Sequence, residues 1–205
     1  HEHRVHIQSG GERSDVPLYV GPARILKDRR LLYFLAGIVP VVVVFFQHNG
    51  AMPLYLVSDL HLSESTYGLL FTVNTALIIL LEVPLNIAMA RWPHRRALAL
   101  GSFLFGLGFG AMSLVSDLFG VVLTVVVWSF GEMILLPGAA NYMAEIAPTH
   151  RRGMYMGLFQ MTFSFSFAIS GWVGTSTLEH FGGQVLWGAT FVAGCVSALL
   201  LWRIR

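Results

Sequence analysis

The sequence predicts an all-α, polytopic membrane protein with six transmembrane helices, and three observations predict it. The chain is 55% hydrophobic and only 12% charged, against roughly 25% charged residues in a soluble domain. Its apolar residues form long continuous runs without the alternation of a lipid-facing strand, which excludes a β-barrel. All thirteen Lys and Arg residues then lie on one side of those runs. Six fall in the first 30 residues: Arg4, Arg13, Arg24, Lys27, Arg29 and Arg30. Arg91, Arg95 and Arg96 follow one out-and-back pair of runs, Arg151 and Arg152 the next, and Arg203 and Arg205 the last. The charged residues of the opposite turns are all acidic: Asp59, Glu64, Asp117 and Glu179. Positive charge is retained on the cytoplasmic face of a membrane, so both termini are expected there, in the cell (cytoplasmic) membrane. The pI near 8.9 therefore reports loop orientation, and no nucleic-acid partner is expected.

Residues 1–30 precede the first span. They lack an apolar core stretch and so are not a secretory signal. Residues 1–15 are read as a mobile polar cytoplasmic tail, and 16–30, which alternate apolar and basic character, as a segment along the membrane surface. The chain begins with His and not Met, which suggests a piece of something longer. His1, His3 and His6 have no acids at ligand spacing, so neither a metal nor any other cofactor is expected.

A crossing needs about 20 apolar residues, and six segments qualify: 31–57, 66–90, 97–116, 118–146, 154–178 and 183–202. Together they form a transmembrane domain over 31–205. The first is long enough to kink and carries Pro40 and Pro53; the second carries Pro84 and the long fourth Pro137. Such prolines are tolerated in lipid when neighbouring helices or side chains satisfy the carbonyls they free. Gly106 and Gly110 in the third span, and Gly153 and Gly157 opening the fifth, are G-x-x-x-G pairs that let helices approach closely. Cys195 stands alone in the sixth, so no intramolecular disulfide forms.

Polar side chains within spans are costly and mark function by default. Gln47, His48 and Asn49 lie in the first span, Asn74, Glu82 and Asn86 in the second, Glu132 and Asn141 in the fourth, and Gln160 in the fifth. The interiors of the third and sixth hold only hydroxyls and one thiol. Four helices are therefore expected to face water or one another's polar groups, and the third and sixth to face mostly lipid. At about 100° per residue, Thr75 lies about 20° from Glu82 and Asn86 about 40° to the other side, a polar stripe that a neighbour must cover. Glu132 shares its own helix face with Trp128, Leu136, Ala139 and Met143, and such surroundings favour the neutral carboxyl. Glu132 and Glu82 are the proton-carrying candidates, with a packing role as the alternative for each. Gln47, His48, Asn49, Asn74, Trp128 and Gln160 are the candidates for a substrate cavity. For His48 a hydrogen-bonded structural role beside the Gly50 and Pro53 break is the competing reading.

Three stretches carry a resemblance. Ala90-Arg91-Trp92-Pro93-His94-Arg95-Arg96 resembles a degenerate copy of a D-R-x-G-R-R cytoplasmic signature, departing at Ala90 and Pro93. Ala147-Pro148-Thr149-His150-Arg151-Arg152-Gly153 resembles an A-P-x-x-x-R-G turn, and Gly131-Glu132 followed by Pro137 resembles the tenth helix of the same proteins. From Val16 onward the chain is similar to the C-terminal six-helix half of a major facilitator superfamily transporter, bacterial drug/proton antiporters above all. The resemblance implies an inverted three-plus-three repeat, one half of that fold, with residues 1–30 linking it to an N-terminal six-helix half in the same chain or a partner. Faint echoes of the repeat are Gly68-Leu69 with Gly157-Leu158, and Val42–Phe45 with Val125–Trp128. It further implies proton-coupled efflux of small molecules, and a cytoplasmic gating loop set of Arg91, Arg95, Arg96, Arg151 and Arg152. No intramembrane Lys or Arg is available to an anion, which favours apolar or mildly cationic substrates. Two alternatives remain at this point: a non-transporting six-span receptor or assembly partner, and an intramembrane serine hydrolase using Ser170 and His180.

Overall fold

The computed structural model describes residues 27–204, and among them every regular element is helical. The tail histidines, the surface segment before Lys27 and Arg205 lie outside the described residues. Helix α1 (Arg29–Phe45) starts two residues earlier than expected because Asp28 caps it, accepting hydrogen bonds from the backbone N–H of Arg30 at 2.9 Å and Leu31 at 3.3 Å. A 3₁₀ turn at Phe46–His48 ends it, and α2 (Ala51–Ser58) resumes the crossing. The break thus falls at Asn49 and Gly50. Pro53 sits within the first turn of α2, where no intrahelical N–H is missed. Helices α3 (Glu64–Met89), α4 (His94–Ala111) and α5 (Leu118–Ile146) follow.

The last helix, α6 (Arg152–Trp202), has 51 residues, about 77 Å at 1.5 Å per residue and more than twice a hydrocarbon core of about 30 Å. Gly182, at φ 80°, breaks it, and this left-handed backbone favours glycine. The two arms, 152–181 and 183–202, double back on one another. The Tyr155 hydroxyl on the first arm meets Asp28, the cap of α1, at 2.6 Å, and Arg203, just past the second arm, borders the same cavity as Arg29 and Arg30 at the start of α1. Five continuous helical stretches are long and apolar enough to cross a membrane, and they supply the six crossings expected.

The packing is internally symmetric. The first span, α1–α2, lies against both arms of α6, through Gln47 with Ser170 and Val41 with Ser197. The fourth span, α5, lies against α3 and α4, through Asn74 with Glu132 and Gly131 with Phe105. The third and sixth spans meet each other at Gly106 and Gly194. Exchanging spans one to three for four to six maps this set of pairings onto itself, and spans one and four run in opposite directions, as an inverted three-plus-three repeat requires.

Two expectations need correction. Helix α4 does not face mostly lipid: it is wedged between α5 and the second arm of α6, with Leu98, Phe105, Phe109 and Ser102 fully buried. Its glycines explain this, because a Cβ on Gly101, Gly108 or Gly110 would lie within 3 Å of Leu135, Trp128 or Phe191. Polarity alone cannot register a surface smoothed for close approach. Conversely, Gly153 and Gly157 pack on nothing within 4 Å, so only the first glycine pair joins helices among the described residues. The least buried span is α3, where only Thr66, Leu70 and Asn74 are buried.

Two of the prolines, Pro40 and Pro137, are compensated across helices. Beside Pro40, the Val41 N–H donates to the Ser197 hydroxyl at 3.1 Å. Pro137 leaves the Met133 carbonyl without its helical donor, and the Asn86 amide supplies one at 3.3 Å. Replacing Asn86 by Leu is expected to destabilise the bundle by about 1 kcal/mol, a usual scale for such interhelical bonds. The further replacement Pro137→Ala restores a donor to Met133, so thermal unfolding of the single and double variants checks the coupling.

Asp28 carries a second expectation. Partial burial pushes its carboxyl up. The Tyr155 hydroxyl, the N–H groups of Leu31 and Arg30, and the Arg30 charge outweigh that and hold it below the ordinary carboxylate value. A group depressed on folding stabilises fully above its unfolded pKa of about 3.9 and loses that contribution as pH falls through its folded value. Asp28→Ala should cost about 1 kcal/mol near neutral pH, as for other N-caps. The difference from the parent in thermal unfolding should shrink only once the pH falls below about 4.

Candidate functional site

The unwound segment between α1 and α2 places His48 inside the bundle, 7% exposed. Its Nδ1 faces the Phe45 carbonyl, three residues back along the chain. A carbonyl only accepts, so Nδ1 carries the hydrogen and Nε2 is the nitrogen left to exchange a proton. The ring stacks on Trp128 at 6.0 Å and 16°, with Phe45 at 4.6 Å and Phe71 at 5.4 Å around it. Trp128 in turn stacks on Phe109 at 5.4 Å. The Tyr67 hydroxyl holds the His48 carbonyl at 3.0 Å. One ring nitrogen of His48 is thus engaged with the backbone.

One turn along α5 from Trp128, Glu132 is half-buried and faces α3. The Asn74 amide donates to its Oε2 at 2.9 Å and to the Ser129 hydroxyl at 2.9 Å, while Ser129 donates to the Val125 carbonyl at 2.7 Å. The apolar surroundings expected for Glu132 are thus corrected: its own helix is apolar there, but a second helix brings an amide to it. Glu82 is half-buried on α3, the helix that also carries Asn74. Asn86 bonds the Glu82 carbonyl of its own helix at 2.8 Å and the Met133 carbonyl of α5 at 3.3 Å, so part of the expected stripe meets α5, while Thr75 stays exposed.

Four sequence candidates are thereby brought together: His48, Asn74, Trp128 and Glu132. Gln47 is not among them. Its amide turns toward α6 and donates to the carbonyls of Ser170 at 3.1 Å and Val43 at 3.3 Å, and its oxygen meets no donor. Asn49 and Gln160 are exposed. Sequence reasoning missed Ser129, whose signal was its place one turn before Glu132 on the same helix, and Phe71, which gives none.

At the arginine-bearing end, Arg91, Arg95, Arg96 and Arg152 are exposed and Arg151 is half-buried. Arg152 donates to the Ala144 carbonyl at 3.1 Å, closing the turn after α5. With Ala90 in the acidic position, the contact of the α3–α4 turn is made by His94, whose Nε2 lies 2.7 Å from Glu145 Oε2. Among the described residues no three His, Cys, Asp or Glu side chains gather to hold a metal. Nor do Ser170 and His180 form a dyad. They lie ten residues apart on one arm, about 15 Å along the helix, and bond the carbonyls of Phe167 and Ser176 separately, each at 2.9 Å.

An intramembrane carboxyl held by an amide, beside an aromatic-lined histidine at a helix break, is an arrangement that can hold and release a proton. Comparison with known proteins agrees with a transport role over a hydrolytic one. The chain is 23% identical to the multidrug resistance protein MdtH of Cronobacter sakazakii, over 91% of this chain and 47% of that one. It is 22% identical to a Na(+), Li(+), K(+)/H(+) antiporter of Planococcus maritimus, over 68% of this chain and 36% of that one. It is 27% identical to the putative metabolite transport protein NicT of Pseudomonas putida, over 74% of this chain and 36% of that one. The chain thus spans about half the length of these relatives or less. A sequence model described as Major Facilitator Superfamily matches residues 31–205. With six crossings in an inverted repeat and this match over all six spans, the chain belongs to the Major Facilitator Superfamily of multi-pass membrane transporters.

Proposed function

We propose that this chain forms the C-terminal half of a proton-coupled efflux transporter of the cytoplasmic membrane, exporting small apolar or mildly cationic molecules. Both termini lie in the cytoplasm, and residues 1–30 lead to an N-terminal six-helix half that closes the other side of the cavity. Glu132 carries the proton, with Glu82 as a second acid on the facing helix. The observation that carries this reading is the bond from Asn74 to Glu132, which sets an ionisable group between the second and fourth spans. An intramembrane acid is costly unless used. The aromatic lining from His48, Phe71 and Trp128 suits an apolar or cationic substrate through stacking and cation–π attraction. The antiporter and multidrug names among the relatives support the same reading.

The test is efflux from vesicles holding the complete transporter under an imposed pH gradient. The reading expects export that stops when a protonophore collapses the gradient. Export at an unchanged rate would remove proton coupling, and no substrate-dependent flux at all would favour a receptor or assembly role.

A further inference from the structure

A cavity of about 490 Å³ opens at the arginine-bearing end of the bundle, lined by Arg29, Arg30, Tyr33, Tyr142 and Arg203. A second, of about 340 Å³, shares Arg30 and Tyr142 and adds Arg95. Four guanidinium groups therefore border two adjoining cavities. The carboxylates nearby are already engaged: Glu145 with His94 at 2.7 Å, and Asp28 with the Tyr155 hydroxyl at 2.6 Å and two backbone N–H groups. Aromatic rings hold two of the cations in place. Arg30 donates to the Tyr142 hydroxyl at 3.2 Å and lies 5.5 Å from that ring, and Arg95 lies 5.9 Å from the Trp202 ring.

Four guanidinium groups outnumber the two carboxylates beside them, Asp28 and Glu145, and such an excess matches a phosphate, which each guanidinium can bind through two parallel bonds. Tyr33 and Trp202, 37% and 51% exposed, flank the cluster on the first and last helices. Half-exposed aromatics at helix ends mark the depth of the lipid headgroups. Leu32 and Leu199, 40% and 64% exposed, continue an apolar surface from those same two ends. We propose that this pair of cavities binds the phosphate-bearing headgroup of an anionic phospholipid, whose acyl chains follow that apolar surface. Basic pockets between helix ends are a recurrent form of lipid recognition. The site is separate from the Glu132 cluster, and its occupancy is read without substrate or gradient, so it stands or falls apart from the transport reading.

The experiment is native mass spectrometry of the full chain in detergent, titrated with phosphatidylglycerol, phosphatidylcholine or inorganic phosphate. Phosphatidylglycerol is expected to stay bound where phosphatidylcholine does not. Arg29→Gln with Arg203→Gln, both exposed and outside the packing, should weaken it by about fivefold per arginine. Arg91→Gln with Arg96→Gln removes the same charge from outside the cavities and should leave binding unchanged. Equal retention of the two lipids, or equal loss in both double variants, overturns the proposal. Displacement of phosphatidylglycerol by millimolar inorganic phosphate also overturns it, by making a soluble anion the ligand.

Discussion

Replacing Glu132 by Gln in the complete transporter is expected to abolish gradient-driven efflux while leaving a folded protein that still exchanges substrate across the membrane. The amide keeps the size of the carboxyl and an oxygen that accepts from Asn74, whose bond to Oε2 is 2.9 Å. The packing between α3 and α5 therefore survives, and only the ionisable proton is removed. Equilibrium exchange moves no net protons, so it continues, whereas accumulation against a gradient does not. Glu82→Gln should slow efflux without uncoupling it, because Glu82 lies on the least buried helix and Asn74 bonds Glu132. Efflux assays in vesicles of matched protein content separate these outcomes. Coupling that persists in both variants would leave the two acids as packing groups.

Gly194→Ala is expected to cost about 1–3 kcal/mol of stability, the scale of an overpacked core. A methyl group there would lie 2.8 Å from the Gly106 nitrogen and 3.0 Å from the Ser102 carbonyl oxygen. These are backbone atoms and cannot rotate aside, so α4 and the second arm of α6 must move apart. That contact joins the two triplets of the repeat, and its loss reaches both. Gly157→Ala, with nothing within 4 Å, should stay within about 0.5 kcal/mol of the parent. The melting temperatures of the two variants in one detergent check the contrast; equal shifts would mean that the close approach at Gly106 carries no stability.

The six crossings were legible because length and apolarity act residue by residue. The turn between the last two spans was legible as well, since the gap 179–182 between them contains Gly182, where the backbone turns. The members of the site were legible one at a time, because each polar group in an apolar run stands out against the cost of burying it. Their pairing was not. A helical wheel places Glu132 among Trp128, Leu136, Ala139 and Met143 and has no means of showing Asn74 on another helix. Nor does it show that the 3₁₀ turn at Phe46–His48 sends His48 toward Trp128 and the adjacent Gln47 toward Ser170. The burial of α4 was hidden for a related reason. Glycine is read as apolar or neutral, while its effect on packing depends on which neighbour has a matching gap, here Gly194 for Gly106.

The central claim is that Glu132 exchanges a proton as substrate comes and goes. Its most direct test is proton release on adding a cationic substrate to the purified complete transporter in weakly buffered detergent solution, followed with a pH indicator. The account predicts release from the parent protein and none from Glu132→Gln at the same substrate occupancy. Equal release from both, or none from the parent at saturating substrate, would contradict it.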